Sequence, residues 1–193
     1  MSNNKLEKWN SAYAQADIST AEAAMVLRDN CFLLEKEGAA LDLACGRAGN
    51  AIFLAKRGYQ VDAIDLSPVV LEHVAQYSKK QGLSIKCQCR DIENEGLPRK
   101  QYNVIVVSYF LNRQLFPAIL ESIKPNGLLF YQTWSQLRID ESGPGNPDFR
   151  LQAGELLSLC APLRPLYYRE NGLQGDIGQG LRNEAQIIAQ KII

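Results

Sequence analysis

The stretch Leu41-Asp-Leu-Ala-Cys-Gly-Arg-Ala-Gly-Asn50 decides the fold. A short apolar run, Ala39–Leu43, leads into small, glycine-rich residues, and helical periodicity resumes with apolar residues at 51, 52, 54 and 55. That order is a strand, a tight turn and a helix whose N-terminus points at the turn, an arrangement that lets backbone N–H groups approach a ligand. Outward from this unit the pattern repeats. Gly58 closes the helix and Gln60–Ile64 is the next strand. Ser67-Pro68 starts a helix that runs to about Lys80 before Gly82. Ser84–Cys89, Asn103–Val107 and Leu128–Trp134 read as further strands. Phe116–Ile123 reads as a helix stopped by Lys124-Pro-Asn-Gly127. After a turn-rich stretch at 135–150 come a helix near 152–160 and strands near 164–169 and 184–192. Upstream, residues 5–36 read as two helical pieces broken at Asp17–Thr20, with Ser19 or Thr20 capping the second.

Strands alternating with helices predict an α/β fold, a mostly parallel seven-stranded sheet with helices on both faces. The last two strands lack a helix between them, which predicts an antiparallel terminal hairpin at one edge. At 193 residues with 46% apolar content, one domain spanning 1–193 is the simplest division, with 1–36 as a helical flank or lid. The 21 basic and 21 acidic residues balance, so no long-range field gathers polyanions, and nucleic acid and anionic membrane are not expected partners. No apolar leader or membrane-length run stands out, which gives the expectation of a cytoplasmic protein. Five cysteines and one histidine make no zinc pattern; Cys87-x-Cys89 reads as same-face strand packing and no metal is expected.

Three strand ends in order each supply an acid: Asp42, Asp65 and Asp91. Asp65 lies 65 − 46 = 19 residues after Gly46, close to the roughly 20 of a ribose-binding carboxylate. With Ala44, Gly46 and Gly49 read as a degenerate glycine fingerprint, a dinucleotide-binding oxidoreductase using NAD is one reading. Asp42 argues for another. Facing the crevice, it would repel a pyrophosphate but pair with a ligand carrying an ammonium and a sulfonium, so S-adenosylmethionine (SAM) suits the turn better.

These segments resemble the class I SAM-dependent methyltransferases, which have a Rossmann-like fold. Leu41–Asn50 looks like their first motif, Val61-Asp-Ala-Ile-Asp-Leu-Ser67 like their second, and Cys89-Arg-Asp-Ile92 like their adenine-binding segment. Trp9-Asn-Ser-Ala-Tyr13, Val107-Ser-Tyr-Phe-Leu-Asn-Arg113 and Asn146–Glu155 are similar to segments of the small tellurite-resistance and thiopurine-type members. The resemblance implies that Asp42 with the backbone of Ala44, Cys45 and Gly46 holds the methionine part of SAM. It implies that Asp65 and Leu66 hold the ribose, Asp91 and Ile92 the adenine, and that Ser108 adjoins the cofactor. Ala44 replaces a usual glycine, which fits if its φ is negative, and Ala48 stands where a third glycine is common, with Gly49 displaced by one.

Ser108, Tyr109, Asn112 and Arg113 follow the fourth strand at the sheet's carboxyl edge, where such folds place ligands. Tyr109 is expected to orient an acceptor or take a proton, Asn112 to hydrogen-bond it and Arg113 to hold an anion. Arg138 and Arg150 are further candidate anion contacts. Asn112 stands where related proteins often carry His, and the only histidine, His73, lies on a helix away from the mouth. The lack of an obvious base tilts the acceptor towards a small molecule that is nucleophilic unaided, a thiol or, by the resemblance, a tellurium or selenium oxyanion. A SAM-binding module without turnover is the remaining alternative. Trp9 and Tyr13, four apart on one helix face, read as an anchor for the N-terminal helix or a lid over the cofactor.

Overall fold

A computed structural model describes residues 2–192; Met1 and Ile193, the ends of the expected domain, lie outside the described residues. The chain opens with α1 (Ser2–Tyr13), a one-turn α2 (Met25–Arg28) and β1 (Ala39–Leu43). It continues through α3 (Gly49–Ala55), β2 (Gln60–Asp65), α4 (Pro68–Gln81), β3 (Ile85–Cys89) and α5 (Ile92–Glu95). β4 (Tyr102–Ser108), α6 (Phe116–Glu121), β5 (Ile123–Trp134), α7 (Glu155–Leu159), β6 (Arg164–Arg169) and β7 (Glu184–Gln190) complete it.

The seven strands form one sheet in the order β3-β2-β1-β4-β5-β7-β6. β7 runs antiparallel between β5 and β6 and the other pairings are parallel, so the predicted terminal hairpin is present with its second strand inserted inward. Strand order reverses between β1 and β4. That reversal opens a crevice beyond the strands' carboxyl ends, the position where open α/β sheets take ligands. Because side chains alternate across a strand, each central strand feeds two cores. Val104, Val106 and Phe130 pack with α2, α3 and α4 on one face. Ile105, Val107 and Tyr131 pack with α6 and α7 on the other. Burying a side chain of this size contributes about 1.5–3 kcal/mol, and the cover on both faces explains why β4 is apolar from Val104 to Val107.

Pro68 at the start of α4 and Gly82 in the left-handed region at its end mark that helix as the sequence predicts. The second N-terminal helical piece is different: residues 18–36 hold only α2 and two 3-10 turns. Asp17, rather than Ser19 or Thr20, caps the first of those turns by accepting the Ser19 N–H at 2.9 Å. The reason is tertiary. The backbone N–H groups of Ala24 and Val26 are taken by the side chains of Asn50 (2.8 Å) and Gln132 (2.9 Å), which hold this segment against the sheet.

Candidate active site

The turn after β1 alternates through the left-handed region at Ala44 (φ 54°), Gly46 (φ 50°) and Ala48 (φ 57°). Ala44 therefore does not meet the negative-φ condition for an easy fit. Left-handed backbone costs an L-residue roughly 1–2 kcal/mol, and what the conformation secures is visible: the Gly46 N–H donates to Asp65 Oδ2 at 2.8 Å and the Cys45 N–H to the Ile64 carbonyl at 2.9 Å. The displaced glycine also has a cause. A Cβ on Gly49 would lie 2.0 Å from the Glu22 carbonyl oxygen, so Gly49 serves the close approach of the Ala21–Ala24 backbone rather than a ligand.

Asp42 does not face the crevice. It is fully buried, with Oδ1 accepting from Asn50 Nδ2 (3.1 Å) and Oδ2 from the Ala51 N–H (2.9 Å) in the first turn of α3. Alternation along β1 sends it to the face where α3 packs. Burial pushes its acid constant up to about 7, against the pull of those two donors. Asp65, also buried, bridges two turns by accepting from Gly46 N and, through Oδ1, from Ser67 N at 2.9 Å. A carboxylate has about four lone-pair positions, so Asp65 keeps capacity for further donors. Burial raises its acid constant too. Asp91 caps α5 through the Glu93 and Asn94 N–H groups and accepts from Asn94 Nδ2 at 2.7 Å, while Ile92 is buried beneath it. Leu66 is half-buried, its carbonyl accepting from Cys89 Sγ. Cys45 is buried and its thiol is held neutral. Ser108 Oγ accepts from Asn50 Nδ2 at 3.0 Å, which ties the ends of β1 and β4 together.

Helix α1 lies over these turns in reverse order. Lys5 pairs with Glu93 beyond β3, Ser67 Oγ beyond β2 donates to Asn10 at 2.7 Å, and a Cβ on Gly46 beyond β1 would stand 2.9 Å from the Tyr13 hydroxyl. Trp9 and Tyr13 stack at 5.7 Å, as their spacing predicts. Tyr13 is pushed up to about 12 by burial and the nearby Asp65. A cleft of about 560 Å³, lined in part by Tyr13, Asp17 and Arg47, opens beside this contact.

The three residues expected at the reaction centre are not brought together. Tyr109 reaches the mouth, half exposed. Asn112 caps the following turn and donates to Glu93 at 3.4 Å. Arg113 is not free for an anion: it grips Glu155 at 2.5 and 2.9 Å and donates to the carbonyls of Asp148 and Arg150. Arg150 is committed likewise, to the carbonyls of Ser135, Ser142 and Pro144, and Arg138 pairs with Glu141. His73 sits behind α1, away from the mouth, with a buried Nδ1. Two residues that sequence reading missed complete the mouth, Gln132 on β5 and Glu184 at the head of β7. An antiparallel strand begins at the edge where its parallel neighbours end, so the topology alone could have flagged position 184.

The family described as "Methyltransferase domain" matches residues 40–127, the span from β1 into β5 that carries all three acid-bearing turns. Residues 40–127, a little under half of the chain, are thus similar to a methyltransferase domain. Over 87 residues the chain is 31% identical to the probable S-adenosyl-L-methionine-dependent methyltransferase TehB of Haemophilus influenzae, covering 44% of this chain and 30% of that protein. It is 32% identical over 103 residues to the ubiquinone biosynthesis O-methyltransferase of Rickettsia canadensis, covering 51% and 43%. The chain spans less than half the length of these curated relatives. The crystal structure of Haemophilus influenzae TehB superposes with a TM-score of 0.71 over 95% of this chain and 67% of that one, at 22% identity, a likeness of fold.

The TehB relative is named as SAM-dependent, and residues of the matched segment fit that cofactor. Gly46 lacks the Cβ that would fill the space under Tyr13, Asp65 retains acceptor capacity beside it, and Ile92 offers an apolar surface one strand further on. When bound, SAM supplies a methyl group already activated on a sulfonium.

Proposed function

We propose that this chain is an enzyme that transfers a methyl group from SAM to a small-molecule acceptor. In this reading SAM lies across the ends of β1, β2 and β3, and the acceptor enters beside β4, β5 and β7. The observation that carries it is the bridging of Asp65 by the Gly46 and Ser67 N–H groups, which aims a buried carboxylate with spare lone pairs at the β1 turn. Asp65 then takes the ribose hydroxyls, the Ala44–Gly46 backbone the methionine part, and Asp91 with Ile92 the adenine. Asp42 positions the turn from behind through α3. Helix α1, bonded at the turns after β2 and β3 and lying against the Gly46 turn, is the lid of this site and keeps water from the sulfonium.

The same geometry speaks against NAD. A dinucleotide places its pyrophosphate at the N-terminus of the helix after β1, and here the Ala51 N–H of that turn already serves Asp42. Of the two acceptor classes, a thiol is favoured over a tellurium or selenium oxyanion. Arg113, Arg138 and Arg150 are all engaged, and the acid Glu184 stands at the mouth.

Isothermal titration with SAM, S-adenosylhomocysteine and NADH tests the reading. Both SAM and its demethylated product are expected to bind, and Asp65→Ala to weaken both. A ligand at 100 times its dissociation constant adds about 2.7 kcal/mol of stability. NADH binding that Asp65→Ala abolishes, with no SAM binding, would sink the proposal. SAM binding without transfer to any acceptor would leave the non-catalytic module.

A further inference from the structure

Gln132 is almost fully buried, and its surroundings fix which way its amide points. Oε1 accepts from the Val26 N–H at 2.9 Å and from Gln186 Nε2 at 3.0 Å, so Nε2 must face the opposite way. Its two N–H groups go to Tyr109 Oη at 3.0 Å and to Glu184 Oε2 at 2.6 Å. Because the phenol oxygen already receives a hydrogen bond, its own O–H is directed onto Glu184 Oε1, at 3.4 Å. The sheet register holds this set in place: Gln132 lies opposite Gln186, and Trp134 opposite Glu184. Tyr109 adopts φ 55°, a conformation a bulky residue enters only under constraint, while its N–H is held by the Gln132 carbonyl at 2.9 Å. The outcome is a phenol ring against Trp134, with centroids 5.2 Å apart, half open to solvent. Its O–H leads inward to a carboxylate, and one oxygen lone pair remains for a donor arriving from the mouth.

We propose that Tyr109 and Glu184 form a proton path for the acceptor, and that the acceptor is a thiol too weakly acidic to ionise unaided at neutral pH. The inference rests on the methyltransferase reading above. The incoming S–H donates to Tyr109 Oη. As the S–H bond breaks, its proton passes to Oη, the phenolic proton passes to Glu184 Oε1, and the electron pair stays on sulfur. The thiol becomes a thiolate, Glu184 becomes a carboxylic acid and Tyr109 ends as it began. Glu184 acts through Tyr109 and touches no reacting atom. Burial raises its acid constant, which strengthens it as a proton sink, with the Gln132 and Tyr109 donors acting the other way. Facing the pair are Gln132 from β5 and the charge of Arg28 from α2, itself paired with Glu22. Tyr109 is raised to about 12, by burial first and then by Glu184.

The test compares wild type, Tyr109→Phe and Glu184→Gln on two acceptors, hexanethiol and the far more acidic benzenethiol. Both substitutions are expected to lower kcat/KM for hexanethiol about 100-fold. Benzenethiol turnover should fall far less than hexanethiol turnover, because that thiol is already largely a thiolate at neutral pH, and S-adenosylhomocysteine affinity reports whether the cofactor site is intact. In wild type, kcat/KM for hexanethiol falls as pH drops through the Glu184 constant, and Glu184→Gln removes that acid limb. A readout without turnover is the ultraviolet titration of tyrosinate in the unliganded chain. Tyr13 and Tyr109 both titrate near 12, so Tyr109→Phe should remove one of two such phenols and Glu184→Gln should move one of them lower. Equal losses on both thiols, no loss on hexanethiol, or an unmoved phenol titration in Glu184→Gln would overturn the path. A wild type that binds S-adenosylhomocysteine yet methylates neither thiol instead overturns the acceptor reading, and the path with it.

Discussion

Replacing Gly49 by alanine adds one methyl group and should be among the costliest single changes in the N-terminal half. The new Cβ would sit 2.0 Å from the Glu22 carbonyl oxygen and 2.5 Å from its carbon, and both are backbone atoms that no rotamer change can remove. The segment at 21–24 must move, at a typical overpacking cost of about 1–3 kcal/mol. Movement also breaks the buried hydrogen bond from the Ala24 N–H to Asn50 Oδ1, worth about 1–3 kcal/mol once the donor is left unsatisfied. Alanine recovers up to about 1 kcal/mol of helix propensity. The balance is a loss of about 3 kcal/mol, or a fall in melting temperature of roughly 6–12 °C for a chain of this size. Thermal and urea unfolding measure it, with Gly145→Ala as control, since nothing lies within 4 Å of a Cβ there. A Gly49→Ala protein that melts with the Gly145→Ala control would refute the argument that this glycine exists for backbone approach.

Asp42 gives a pH prediction. Its folded acid constant of about 7 lies above the ordinary value of 3.8, so its contribution is fully present below pH 4 and is lost as pH rises to 7, up to about 4 kcal/mol. The stability difference between wild type and Asp42→Asn, followed by urea unfolding across pH 4–8, should therefore move against wild type between pH 4 and 7 and then level; a flat difference contradicts it. Ala44→Gly relieves a left-handed alanine and should change stability by about 0 to +1 kcal/mol, the relief being offset by unfolded-chain entropy of about 0.4–1 kcal/mol; a loss above 1 kcal/mol counts against the strain. Arg113→Lys removes the two-pronged grip on Glu155 and should speed proteolysis within 135–155 while leaving S-adenosylhomocysteine affinity unchanged, as limited digestion and titration would show. Asn10→Ala cuts the tie between α1 and Ser67, and stopped-flow fluorescence should record faster release of S-adenosylhomocysteine; an unchanged rate would remove α1 from the gating step.

The parallel sheet was legible because its signals are local. Strand, small-residue turn and helix follow one another within the ten residues 41–50, and Asp65 and Asp91 follow their own strands directly. Residues whose partners lie far along the chain were not legible. Arg113 reads as a free cation at a strand end until Glu155, 42 residues on, occupies it. The second N-terminal helix reads well by periodicity and fails because Asn50 and Gln132 compete for the backbone groups it would have used.

Asp42 and Glu184 show what kind of knowledge is needed to assign a carboxylate. From sequence, Asp42 is the conspicuous acid, one residue from the turn, and Glu184 is one charge in a polar run before the last strand. Pleat direction settles the first: alternation along β1 turns Asp42 beneath α3, where it fixes the turn without meeting the crevice. Strand polarity settles the second: β7 enters the sheet antiparallel, so its first residue lies at the carboxyl edge beside Trp134, where a parallel strand would have carried that position to the far edge. A double substitution that leaves composition untouched, Glu184→Gln with Gln186→Glu, would place a carboxylate opposite Gln132 and leave the Tyr109 hydroxyl without its acceptor.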